Sequence, residues 1–150
     1  MAESGREVTP VEIGLRYLSL AHHLRKVVDD EMTAGGLSLA RTKVLQVLER
    51  RGPVRQSTLA RELSQAPRSV TQFVEALERE GLVERAADPD DARSKLVRLT
   101  PQGSKALAAG TAAGEHVLRL VFGAMEYDQL TDLDQLLDAL QAGLSEAGRR

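Results

Sequence analysis

Residues 67–80 carry two kinds of side chain in one helical rhythm. Val70, Phe73, Val74 and Leu77 recur at i, i+3, i+4 and i+7 and make an apolar stripe. Arg68, Ser69, Thr71 and Gln72 lie off that stripe, near the start of the segment. Arg pairs guanine bidentately, Gln pairs adenine, and the hydroxyls serve either base. A helix that buries one face and offers such groups on the other fits a major groove about 12 Å wide. Its N-terminus, opened by Pro67, also favours a phosphate. Further along, Arg93 and Lys95 follow a turn cluster, Asp88-Pro89-Asp90-Asp91. Arg93 suits a minor groove. Lys95, Arg55, Ser57 and Arg98 are candidates to anchor phosphates. Asp91 stands two residues before Arg93, and a salt bridge between them is expected to shape the tip.

Other chemistries find little support. The chain has no cysteine, which excludes disulfides, thiolate catalysis, cysteine zinc sites and cysteine redox sensing. Its three histidines are His22, His23 and His116. Adjacent helical residues point about 100° apart, so His22 and His23 do not share a metal. No metal site and no cofactor are expected. Gly-x-Ser-x-Gly and Gly-x-x-x-x-Gly-Lys are absent, and Asp88, Asp90 and Asp91 read as a solvated turn. No catalytic residue is assigned, and an enzyme is not expected. A rival class is a winged helix that docks another protein without sequence-specific DNA binding. Glu75, Glu78 and Glu80, later on the same helix, keep that rival open.

The elements that carry these residues are mostly helical. Aromatics are 3% and Trp is absent, while Ala and Leu abound. Apolar residues at 13, 17, 20, 24, 27 and 28 predict a helix from Val11 to about Thr33, ended by Gly35-Gly36. Ser38 caps a second helix with Leu39, Val44, Leu45 and Leu48 inward. Gly52-Pro53 closes it, and Gln56 or Ser57 opens a short third helix with Leu59, Ala60 and Leu63 inward. The helix at Pro67 stops at Gly81. Leu82–Arg85 and Leu96–Leu99 predict a small hairpin. Thr100-Pro101 starts a fifth helix reaching about Met125, and Tyr127–Leu144 forms a sixth with leucines at 130, 133, 136, 137, 140 and 144.

Length and charge agree with one compact unit between helical flanks. The 150 residues carry 20 bases and 22 acids, a net charge of −2. Residues 37–100 carry 12 bases and 9 acids, a sum of +3. The flanks carry 8 bases and 13 acids, a sum of −5. The basic centre is where an anionic partner would belong, although a difference of this size also fits ordinary surface variation. No apolar run approaches the roughly 20 residues of a membrane span. Met1 to Pro10 is polar and acidic, unlike a signal peptide, so no membrane contact and a cytoplasmic location are expected.

Helix, turn, helix and hairpin, in this order, lay out a winged helix-turn-helix. The stretch from Leu37 to Gly103 resembles the MarR (multiple-antibiotic-resistance regulator) family. The residues are Leu59-Ala60-Arg61-Glu62-Leu63, Ser69-Val70-Thr71 and Leu77-Glu78-Arg79-Glu80-Gly81-Leu82-Val83. They continue as Arg85, Asp88-Pro89-Asp90-Asp91-Ala92-Arg93-Ser94-Lys95-Leu96-Val97-Arg98-Leu99-Thr100 and Gly103. Members often have two adjacent arginines at the wing tip, where this chain has Ala92 before Arg93. The resemblance implies a mostly α fold of about six helices with a small two-stranded wing. It implies a homodimer through the N-terminal helix (residues 1–36) and the C-terminal helices (101–150), with DNA bound by residues 37–100. The implied function is transcriptional regulation, as a repressor on a pseudo-palindromic operator in double-stranded DNA, released by a small-molecule effector. A lipophilic or aromatic anion is the expected effector class, with Arg16, Tyr17, His22, His23 and Arg41 as candidate contacts.

Overall fold

The structure is a computed structural model and describes residues 8–149. The polar start of the chain, Met1 to Glu7, lies outside the described residues. The chain divides into two compact units at Gly114 and Glu115.

In the first unit, α1 spans Pro10–Ala34 and begins with a reciprocal cap. The Glu12 amide donates to Thr9 Oγ1 (3.2 Å), and the Thr9 amide donates to Glu12 Oε2 (3.3 Å). Ser38 caps α2 (Leu39–Arg51), which ends at Gly52 with φ +77°. Two residues, Val54–Arg55, form β1 and lead into α3 (Gln56–Leu63). Ser64 then turns the chain in a left-handed conformation, and Pro67 opens α4 (Pro67–Arg79). The wing is β2 (Val83–Asp88) and β3 (Asp91–Leu99), and α5 spans Pro101–Phe122.

The expected two-stranded wing is present, with longer strands and a neighbour. Val83 pairs with Leu99 and Arg85 with Val97, while β1 adds to the other edge of β3 through Val54–Val97 and Arg55–Leu96. The sheet is therefore three-stranded. β1 has only two residues, and nothing local marks it as a strand. Its conformation comes from pairing with β3.

The core gathers one face from each element. Val44 and Leu45 of α2, Leu59 of α3, and Val70, Val74 and Leu77 of α4 are all fully buried, with Val97 of the wing. These are the inward positions that helical spacing predicts. In α1 only Val28 and Met32 are buried; Ile13, Tyr17, Leu20 and Val27 stay exposed. The second unit contains α6 (Tyr127–Ala147), where no residue is buried and Leu130, Leu136, Leu137, Leu140 and Leu144 are exposed. Among the described residues no helix is long and apolar enough to cross a membrane.

One junction locks the end of α4, the exit of the wing and the start of α5. Thr100 Oγ1 donates to the Gly81 carbonyl (2.6 Å) and accepts the Gly103 amide (2.9 Å). The Thr100 amide donates to the Leu82 carbonyl (3.1 Å). Gly81 takes φ +73°, which favours glycine. Gly103 has no room for a side chain: a Cβ there would stand 1.9 Å from the Leu82 carbonyl oxygen. This accounts for the Leu-Thr-x-x-Gly run physically. Gly103→Ala is expected to destabilise the protein by about 1–3 kcal/mol through overpacking. Gly14→Ala, where a Cβ meets nothing within 4 Å, is expected to be neutral or stabilising. Urea unfolding of both variants checks the contrast.

Candidate nucleic-acid interface

Helix α4 holds its outer residues by burying the opposite face. With Val70, Val74 and Leu77 inside, Arg68 and Gln72 are exposed and Ser69 is half-buried. Among the described residues, neither Arg68 nor Gln72 bonds to another side chain, so both retain their donors for a ligand. Thr71 is differently placed. Its hydroxyl donates to the Pro67 carbonyl (3.0 Å) and accepts from Gln56 Nε2 (3.1 Å). One lone pair and the methyl group are left for an outside contact. Gln56 was not among the expected site residues; its place at the start of α3 was the available signal.

The acidic end of α4 is partly neutralised. Glu78 faces Arg85 Nε at 3.7 Å, and Glu80 pairs with Arg41. Arg41, an expected effector contact, stands in this ion pair.

The wing and α3 converge on a basic crevice. Arg55, Gln56, Ser57, Arg85, Ser94 and Lys95 line a space of about 300 Å³. Three expected phosphate anchors, Arg55, Ser57 and Lys95, therefore come together, and Arg85 joins them. The alternation of strand β2 turns Arg85 toward this crevice, which helical or turn signals do not reveal. Arg98 lies elsewhere on β3 and donates from Nε to Glu84 (2.7 Å), its partner across the strands. An exposed pair of this kind contributes about 0–1 kcal/mol, so Arg98 can exchange it for a phosphate.

The tip of the wing is held by carboxylates. The expected Asp91–Arg93 salt bridge does not form. Asp91 is turned back on the turn, where it accepts the Arg93 amide (3.0 Å) and the Ser94 hydroxyl (2.9 Å). The Arg93 side chain is exposed and, among the described residues, has no ion-pair partner. Asp88 is buried and binds Arg55. Backbone donation from Asp90, followed by the bond from Arg55, holds the Asp88 carboxyl below its ordinary titration range.

A larger cavity, about 540 Å³, opens between α1, α2, the end of α3 and α4. Arg25 and Lys43 supply cations to its wall, with Lys26, which is paired to Asp30 (2.7 Å); Leu39, Leu63 and Phe73 give it an apolar lining. The one carboxylate on its wall, Asp29, already accepts the Leu39 amide (2.8 Å). Of the expected effector contacts, His22 lines this space, while Arg16, Tyr17 and His23 lie exposed on α1 outside it. The meeting of Arg25, Lys43 and Phe73 depends on how α1, α2 and α4 pack, which local spacing does not reveal. Among the described residues, no three His, Asp or Glu side chains gather as a metal site.

Known proteins share both segment and fold. Residues 37–95 match the sequence model of the MarR family. An uncharacterized HTH-type transcriptional regulator of Bacillus subtilis is 31% identical over 84 residues, covering 56% of this chain and 51% of the relative. The chain thus aligns with about half the length of that relative. A probable transcriptional regulator from Pseudomonas aeruginosa superposes with a TM-score of 0.69 at 29% identity, over 85% of this chain and 96% of that one. Wild-type MarR (apo form) from E. coli has the same fold, with a TM-score of 0.74 at 21% identity over 89% of this chain and 98% of that one.

The lowered titration of Asp88 has a definite sign. A carboxyl with a depressed folded-state pKa stabilises the fold above its unfolded value, about 3.9. That contribution fades as pH falls through the lower folded value. The stability difference between wild type and Asp88→Asn is therefore expected to be constant near neutrality and to shrink below about pH 4. Urea unfolding of both proteins across acid pH measures it.

Proposed function

We propose that this chain, whose residues 37–95 match the MarR family model, is a DNA-binding transcriptional regulator of that family. The observation that carries this reading is the outer face of α4, where Arg68 and Gln72 stand exposed and unengaged in the unit that also bears the basic crevice. Arg68, Ser69, Thr71 and Gln72 read base edges in a major groove. Arg93 enters the adjoining minor groove. Ser57, Lys95 and Arg98 meet phosphates. Docking to another protein through α4 is the less favoured reading, because Glu78 and Glu80 already have arginine partners.

The working form is a homodimer. The uncovered apolar residues of α1 and the leucines of α6 call for a partner surface, and a second copy supplies one. Two winged units then read half-sites about 10 bp apart on a pseudo-palindromic operator. A dimer seated on a promoter blocks polymerase without further contacts, so repression is the expected outcome. The 540 Å³ cavity is the effector site. Its cationic wall and apolar lining suit an anion with an apolar body, such as an aromatic acid. Phe73 belongs to α4, so a ligand packed on it can favour a placement of the reading helix that misses the groove.

The test is selection of duplex DNA from a random pool, followed by affinity measurements across salt. Arg68→Ala and Gln72→Ala are each expected to cost about 1–3 kcal/mol and to relax specificity at one position per half-site. Arg93→Ala is expected to weaken binding with a shallower salt dependence. Enrichment of no sequence at low salt would sink the DNA reading and return the protein-docking rival.

A further inference from the structure

Arg55 stands beside Ser57 at the entrance to α3, where a basic residue invites assignment to a phosphate. Its guanidinium is committed elsewhere. Nε donates to Oδ2 of Asp88 at 2.7 Å, and Nη2 stands 2.6 Å from the same oxygen in an ion pair. The other oxygen of Asp88 accepts the Asp90 amide at 2.9 Å. The Asp88 side chain is only 5% exposed, and it sits where the register of the β2–β3 ladder shifts. A carboxylate withdrawn from water is costly unless donors surround it. Here two hydrogen bonds do so, one of them from an ion-paired residue 33 positions away. Arg55 is itself anchored by pairing with Leu96 on β3. The pair therefore joins the irregular end of the wing to the start of α3 by a side-chain bond that neither element makes alone.

We infer that Arg55 is a positioning residue for the wing and not a phosphate contact. Acting through Asp88, it sets how far the hairpin tip, with Arg93 and Lys95, extends beside α3 and α4. This inference rests on the DNA-binding reading, and it makes a prediction opposite in sign to simple electrostatics. Asp88→Asn removes a negative charge near the proposed DNA surface and frees an arginine. If charge alone mattered, DNA binding would tighten. If the bond sets the wing, binding weakens.

The test uses the full chain and its selected operator, with Asp88→Asn, Arg55→Ala, the double variant and Arg55→Lys. Asp88→Asn and Arg55→Ala are each expected to weaken binding by about tenfold, and the double variant by no more than either alone, since coupled neighbours do not add. The salt slope of Arg55→Ala should match wild type. Arg55→Lys, which keeps one donor for Asp88, should recover part of the loss. In the DNA-free protein, the Asp90 amide should exchange faster in Asp88→Asn and Arg55→Ala than in wild type. Tighter or unchanged binding by Asp88→Asn overturns the inference. So does a salt slope reduced by about one in Arg55→Ala, the mark of a lost phosphate contact. If wild type binds no duplex, the DNA reading fails separately, and unchanged Asp90 exchange in both variants then refutes the clamp. Should Arg55→Ala fail to fold, Arg55→Lys and Asp88→Asn carry the same comparison.

Discussion

Burial of the apolar seam of α4 is the constraint on which the rest of the molecule depends. Val70, Val74 and Leu77 are sealed against the faces of α2, α3 and the wing. Full burial of such side chains contributes roughly 1.5–3 kcal/mol each before entropy is charged. The same burial fixes the rotation of the helix about its own axis. A helix turned by one residue would rotate about 100°, hiding Arg68 or Gln72 and exposing Val70 or Val74. Stability and outward chemistry are thus two faces of one rotational choice. Neither α1 nor α6 is constrained in this way within the chain, and both leave large apolar side chains in contact with solvent.

The features legible in the sequence are those that local rules decide. Ser38 before Leu39, Gly52 after Arg51, Pro67 opening α4 and Gly81 behind it each act within a few residues, and the helices begin and end beside them. The core positions of α2, α3 and α4 follow from the helical period. The features that were hidden depend on pairing at a distance. Val54 and Arg55 become a strand only against Val97 and Leu96. Arg85 reaches the crevice through the alternation of β2, and Arg41 meets Glu80 across the gap between α2 and the end of α4. Asp91 follows the local rule of its residue type, bonding the amide two residues on. That local bond won over the expected ion pair with Arg93, because it orders no long side chain.

Charge shows the same separation between sum and placement. A net charge of −2 argues for little affinity toward a polyanion. Its distribution gives the central unit a positive balance. Within that unit, acids are taken up by arginines: Glu62 by Arg50 and Arg51, Glu80 by Arg41, and Asp88 by Arg55. Arg68, Arg93 and Lys95 have no such partner among the described residues. Unpaired cations, more than their total, define the positive surface.

The junction at Thr100 has a consequence for the grammar of a DNA site. Gly81 ends α4 and Thr100 ends the wing, and a 2.6 Å bond joins them while Gly103 packs on the Leu82 carbonyl. The end of α4 and the base of the wing are therefore fastened to each other. In a site of the kind proposed, the offset between bases touched by α4 and the groove touched by the wing is a fixed length. One base pair inserted inside a half-site would disrupt its recognition, because α4 and the base of the wing are joined at this junction. Any tolerance in spacing would have to lie between half-sites, where no bond of this junction reaches.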